Sequence, residues 1–272
     1  MKLNTESNFI ELKNAKRIWA VGSIHSNYDL FQSIKNHILA NFQSGDKLIF
    51  LGNVIGLGDK AKDTISSILN LRLRLMARYN LDPEEIVFLR GSQEEMFLKL
   101  MQLQTAPNPQ DIINWMFEHG VDKTTQSYGF SREEVTNIAS QGTISISKWT
   151  TKLNQKLSSS SGHKEYFSNL KHAAFTSSKK ILFVNRGVDV SRPLSAQNDC
   201  FWWGYQNFSK INKNYGTYVR IVRGYQSNLN NELTNAKNNL VCTLFRQPLK
   251  NSKILAGIFN SDGDILDLFE SK

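Results

Sequence analysis

Three short segments hold residues whose types and spacing could do chemistry: Val21-Gly22-Ser23-Ile24-His25-Ser26, Leu51-Gly52-Asn53-Val54-Ile55-Gly56-Leu57-Gly58 and Leu89-Arg90-Gly91-Ser92-Gln93-Glu94. Each stands where an apolar run stops and a polar helix begins. Their side chains offer one imidazole, His25, with the hydroxyls of Ser23 and Ser92 and the amides of Asn53 and Gln93. Hydroxyls and amides donate and accept hydrogen bonds without carrying charge, so they bind ligands without supplying anionic oxygens to a metal. Two later segments, Asn185-Arg186-Gly187-Val188-Asp189 and Arg223-Gly224-Tyr225-Gln226, add two guanidinium groups, the side chains best shaped to grip a phosphate.

The elements that must position these residues follow from the hydrophobic pattern. Arg17 to Val21 reads as a strand, and Tyr28 to Phe42 places Leu30, Phe31, Ile34, Ile38 and Leu39 on one helix face. The same succession recurs with Lys47 to Leu51 and Ala61 to Tyr79, then with Ile86 to Leu89 and Glu94 to Leu103. Strands alternating with helices predict βαβ units and a mainly parallel sheet, whose ligands bind beyond the carboxyl ends of the strands. From Ala106 to about Lys180 the strand signal fades and helical stretches such as Asp111 to Phe117 predict a helical insertion, residues 106–180, within one domain spanning 1–272. The core resumes with Ile181 to Val184 and with Val219 to Val222. Runs near Leu240 to Phe245, Lys253 to Phe259 and Ile265 to Phe269, with a turn at Asn260-Ser261-Asp262-Gly263, predict an antiparallel finish.

These segments, in this order, resemble the signatures of the calcineurin-like metallophosphoesterases, in the branch of bacterial serine/threonine protein phosphatases and dinucleoside tetraphosphatases. Those signatures read G-D-x-H-G, G-D-x-x-D-R-G, G-N-H-E, V-H-A-G-V-D and H-G-H-T. The resemblance spans nearly the whole chain, and Trp115, Gly120, Ser191-Arg192-Pro193-Leu194 and Phe201-Trp202-Trp203-Gly204 extend it. It implies an α/β fold of two packed mixed β-sheets flanked by helices, an αββα sandwich with a helical cap. It also implies a two-metal centre, since paired divalent ions can clamp a phosphate and acidify a bridging water.

The metal-ligand positions that the resemblance implies fall on Ser23, His25, Asn53, Ser92, Asn185 and Tyr225, and only His25 is the expected residue. A bridging carboxylate neutralises two cations, whereas Asn53 offers one carbonyl oxygen and two donors that repel a metal. The expected general acid is Gln93, which cannot protonate a leaving group. Gly56 and Leu57 replace the Asp and Arg of the second signature. Glu94 and the glycines Gly22, Gly52, Gly58, Gly91, Gly187 and Gly224 are kept, which fits retention of the turns without the reaction. The reading is therefore a pseudophosphatase with no catalytic residue and no cofactor. Its binding candidates are Arg223, Arg186, Ser23, His25, Asn53, Ser92, Gln93, Asn185 and Tyr225. Strand alternation puts Arg223 on the side of Tyr225 and turns Arg186 away from Asn185.

The expected ligand is a phosphorylated small molecule or protein. The alternative is an altered hydrolase using Mn, Fe or Zn, rebuilt around His25 with Asp29, Asp59, Asp63 or Asp189. The remaining histidines show no metal-binding spacing. A formal charge of +9 makes a nucleic-acid partner a subordinate reading, because the basic residues are dispersed. Met1 to Lys16 shows no apolar core, no run is long enough to span a bilayer, and two cysteines are too few for a disulfide framework, so a cytoplasmic protein is expected, and the resemblance implies a bacterial one. Trp115, Trp149, Trp202 and Trp203 are expected to be core.

Overall fold

The computed structural model describes residues 8–197, 199–204, 211–225, 240–245 and 253–272; Gln226 and residues 1–7 lie outside them. The βαβ succession forms as its pattern predicts: β2 (Arg17–Val21), α1 (Tyr28–Asn41), β3 (Asp46–Phe50), α2 (Ala61–Tyr79), β4 (Ile86–Phe88) and α3 (Ser92–Leu100). Strands β2, β3 and β4 pair in parallel, while β9 (Leu255–Phe259) and β10 (Ile265–Glu270) extend the sheet antiparallel in the order β10-β9-β2-β3-β4. A second sheet runs β1 (Phe9–Leu12), β5 (Ala173–Thr176), β6 (Ile181–Val184), β7 (Arg220–Arg223) and β8 (Val241–Thr243).

Alternation explains why both faces of the first sheet are buried. Ile18, Ala20, Ile49, Leu51, Val87 and Leu89 pack against Ala174, Ile181, Phe183 and Val222 of the second sheet, forming the layer between the sheets. Trp19, Val21, Leu48, Phe50 and Phe88 point the other way, into α1, α2 and the later helices. The outer face of the second sheet is covered by Phe201 and Trp202, on the short helix α9 (Cys200–Trp203), and by Tyr215 and Tyr218. The result is two packed mixed sheets with helical layers outside.

Three expectations are corrected. Strand β5 lies inside the stretch predicted to be helical insertion; helices α4 (Pro109–Glu118), α5 (Val121–Ser127), α6 (Arg132–Ser140), α7 (Thr143–Ser158) and α8 (His163–Ser168) stop before it. Ala173-Ala174-Phe175-Thr176 has little intrinsic β preference and becomes a strand because β1 and β6 pair on either side of it. The N-terminal stretch is not featureless, since Phe9–Leu12 is the edge strand β1, paired in parallel with β5. Strand β8 does not join the antiparallel finish but pairs in parallel with β7 in the other sheet, leaving only β9 and β10 as the closing hairpin. In all three cases the partner strand, not the local pattern, decides.

The tryptophans divide. Trp149 and Trp202 are core, whereas Trp115 and Trp203 are 44% and 37% exposed and meet edge to face at 5.9 Å. Helices α4 to α8 share one apolar core with α1 and α2, so the insertion widens the outer helical layer.

Candidate functional site

The loops after β2, β3 and β4 converge on one buried carboxylate. Glu94, in the first turn of α3, accepts hydrogen bonds from the backbone nitrogens of Asn53 (2.8 Å), Val54 (2.7 Å) and Gly91 (2.9 Å). Burial pushes its carboxyl up, and those N–H groups pull it back. The loop backbones also bond to each other, with Ile24 and His25 donating to the Asn53 carbonyl at 3.0 and 2.8 Å. The approach is so close at Gly91 that a Cβ there would lie 2.4 Å from the Asn53 backbone nitrogen. At Gly22 a Cβ would meet the Leu244 carbonyl oxygen at 1.9 Å.

The side chains on this frame bond mostly to backbone groups. Asn53, fully buried, accepts from the Ser92 hydroxyl (3.2 Å) and from the Gln93 backbone N–H (3.0 Å), which fixes the orientation of its amide. Asn185 donates to the Leu51 carbonyl at 2.7 Å, Ser23 to the Gly224 carbonyl at 2.8 Å, and Gln93 to the His119 carbonyl at 2.9 Å. Several polar atoms are buried with no hydrogen-bond partner: both ring nitrogens of His25, Asn53 Nδ2, Gln93 Oε1 and Asn185 Oδ1. Burial brings the His25 imidazole down to about 4, opposed only by the nearby Ile55 backbone, which does not reach hydrogen-bonding geometry, so the ring is neutral at pH 7.

The second sheet contributes cations and rings. Arg223 is 6% exposed, and its Nε donates to Thr243 Oγ1 at 2.8 Å. Burial first, then the proximity of Arg186, brings its guanidinium down to about 10, still protonated at neutral pH. Arg186 lies 5.4 Å over the Tyr225 ring. The alternation that turned it away does not apply, because the chain leaves β6 at Val184. Asp189 is engaged by Ser191 and Arg192. Tyr225 packs against His25 at 5.4 Å and Phe245 at 4.7 Å.

In front of these rings is a cavity of about 450 Å³. Of the nine candidate residues only Ser23, His25 and Tyr225 line it; Asn53, Ser92, Gln93, Asn185, Arg186 and Arg223 lie behind. Tyr28, Leu57, Lys60 and Phe245 also line it, and of these the sequence pattern drew attention only to Leu57, as a replacement in the second signature. Tyr28 and Lys60 read there as ordinary helix-start residues, and nothing local marks Phe245. Leu57 stands in the second motif, where its amide donates to the Gly120 carbonyl at 3.2 Å.

No family model matches the sequence, and no curated protein matches it significantly. Solved structures do match the fold. A protein named as a diadenosine tetraphosphatase superposes with a TM-score of 0.52 at 14% identity, covering 97% of this chain and 98% of its own. A protein serine/threonine phosphatase from Saccharomyces cerevisiae gives 0.52 at 12% identity over 97% of this chain and 84% of its own. The chain has the calcineurin-like phosphoesterase fold. A cold-active protein tyrosine phosphatase gives a TM-score of 0.50 at 12% identity over 97% and 83%.

The calcineurin-like fold is generally metal-dependent, and the residues at this chain's motif positions do not fit a pair of divalent ions. Asn53 Nδ2 is a donor where a cation needs an oxygen, the Asn53 oxygen is taken by Ser92 and the Gln93 backbone, and the carboxylate of Glu94 is committed to backbone N–H groups. The buried guanidinium of Arg223 adds positive charge beside Arg186. Among the described residues no three His, Cys, Asp or Glu side chains group closely enough to hold an ion.

Proposed function

We propose that this chain is a pseudophosphatase: a phosphoesterase-like fold that binds a phosphorylated ligand, or a phosphorylated partner protein, in the cleft without hydrolysing it. The observation that supports this reading is that the motif positions carry neutral side chains in neutral hydrogen bonds, chiefly to the backbone. Hydrolysis through two metals needs anionic oxygens and a proton donor near the leaving group. Asn53, Ser92, Ser23, Asn185 and Gln93 instead make neutral hydrogen bonds with one another or with the backbone. Ser23, His25 and Tyr225 form the wall a ligand touches, while Arg186 and Arg223 give the region behind it a positive potential that favours an anionic ligand.

The test is metal analysis of protein grown with manganese, iron and zinc, paired with hydrolysis of p-nitrophenyl phosphate. Metal content near zero and turnover at the uncatalysed rate are expected. One or two tightly held ions per chain with hydrolysis that chelation abolishes would replace this reading with an altered hydrolase, for which Asp29 and Asp59, which share the His25 cavity, are the available carboxylates.

A further inference from the structure

A second pocket of about 450 Å³ lies between α1 and α2, and shares Tyr28 and Lys60 with the cleft. Lys35 is its central cation. Lys35 donates to Ser67 Oγ at 3.0 Å, and its ammonium is pulled down by partial burial and then by repulsion from Arg74. Neither Lys35 nor Arg74 has a carboxylate partner among the described residues. Lys60 is paired with Asp29 at 2.7 Å, and Asp63 is the one acid in the lining.

The proton inventory fixes which way the hydroxyls point. Ser67 Oγ accepts from Lys35 and from Gln32 Nε2 (3.1 Å), so its own proton is left to donate. Ser66 Oγ is 3.0 Å from His163 Nε2, and His163 Nδ1 is 2.6 Å from the Tyr128 hydroxyl. Burial, then Lys62, brings His163 down to about 4, so the ring carries a single N–H at neutral pH. The Tyr128 hydroxyl is buried and has His163 Nδ1 as its partner, so it donates there and leaves the ring proton on Nε2. Nε2–H therefore donates to Ser66, and Ser66, which is exposed, turns its own proton to the pocket. The chain Tyr128 to His163 to Ser66 thus relays one buried donor to the surface. It also argues against Ser66 as a nucleophile, because the imidazole has no free lone pair to take its proton.

We propose that the pocket between α1 and α2 binds the phosphate group of a small phosphomonoester, with Lys35 as the counter-charge and Ser66, Ser67, Asn70 and Lys60 as further donors. An uncompensated ammonium flanked by hydroxyls with free protons suits a tetrahedral anion and gives a cation nothing to bind but Asp63. The site adjoins the cleft but contains none of the motif positions, and it stands whether or not the cleft is silent.

The test titrates inorganic phosphate, and separately O-phosphoserine, into chelator-treated full-length protein, read by backbone-amide NMR shifts. Lys35→Gln, Ser66→Ala and Arg223→Ala variants are compared with the parent. Expected are saturable shifts centred on residues 63–70, weakened roughly tenfold by Lys35→Gln and about threefold by Ser66→Ala; Arg223→Ala, which acts on the cleft, leaves these shifts in place whatever it does to shifts at the cleft. Lys35 is only partly buried and Ser66 is exposed, so both variants fold; circular dichroism checks this. Shifts confined to Ser23, His25 and Tyr225, lost in Arg223→Ala and unaffected by Lys35→Gln, would put the phosphate in the cleft alone and overturn the proposal, as would shifts that never saturate. Metal found in the untreated protein would sink the pseudophosphatase reading and leave this result standing.

Discussion

The loops after β2, β3 and β4 and those after β6 and β7 meet at one cleft but are held by different forces. In the first set, backbone bonds to backbone and a single carboxylate, Glu94, collects the loop N–H groups. In the second, backbone bonds such as Gly224 to the Asn185 carbonyl (2.9 Å) and Arg186 to the Phe201 carbonyl (2.8 Å) are joined by long side chains instead of a buried carboxylate: Arg223 reaches Thr243, Arg186 lies on Tyr225, and Tyr225 leans on His25 and Phe245. A loop held through its backbone keeps its shape when its side chains change, provided that the glycines allowing close approach stay. A loop held by side chains takes its shape from them. The first set can therefore exchange reactive groups for neutral ones without moving, while the second adds the aromatic wall of Tyr225 and Phe245 to the cavity.

That contrast can be broken most forcefully at Glu94. Replacing it with Ala strips four buried backbone donors, those of Asn53, Val54, Ile55 and Gly91, of their acceptor, and unfolding in urea is expected to show a loss of about 3–5 kcal/mol. Gly91→Ala attacks the same hub sterically, through the 2.4 Å approach to Asn53, and is expected to cost about 2–4 kcal/mol in the same assay.

His25 joins the two regions, and its contribution is set by pH. Its folded-state value, about 4, lies below the ordinary 6.5. A histidine held neutral in the fold contributes fully above pH 6.5, and stability is lost as pH falls from there toward 4, because the unfolded chain takes up the proton first. The expected loss is on the order of 2–3 kcal/mol, seen as a falling urea midpoint between pH 7 and pH 4.5. His25→Phe keeps the ring contacts with Tyr225 and Phe245 and should flatten part of that slope; an unchanged slope would assign it to other groups. The smallest effect is expected from Tyr225→Phe, which preserves the aromatic packing and should shift stability by about 0.5 kcal/mol or less.

The same contrast explains what the sequence disclosed. The first-sheet loops were legible because strand, glycine and helix start follow within a dozen residues, so the order of residue types along the chain is enough to place Asn53, Ser92 and Glu94 at strand ends. The cavity was legible only in part: the resemblance named Ser23, His25 and Tyr225, but Phe245 comes to His25 from far along the chain through strand pairing that no local pattern encodes. Strands β1 and β5 were missed for the same reason, as four-residue segments whose partners lie some 160 positions apart. Arg186 was misdirected because alternation was carried one residue past the end of β6.

The clasp made by Glu94 has a consequence for how fast the cleft can work. Loop shape here depends on an internal carboxylate, so the first-sheet walls are already in place before a ligand arrives and no ordering of those loops opposes association. A ligand bound as proposed would be captured at a rate governed by encounter and charge, and its residence would be adjusted through Ser23 and His25 of the first-sheet loops as well as Tyr225 and Phe245 of the second.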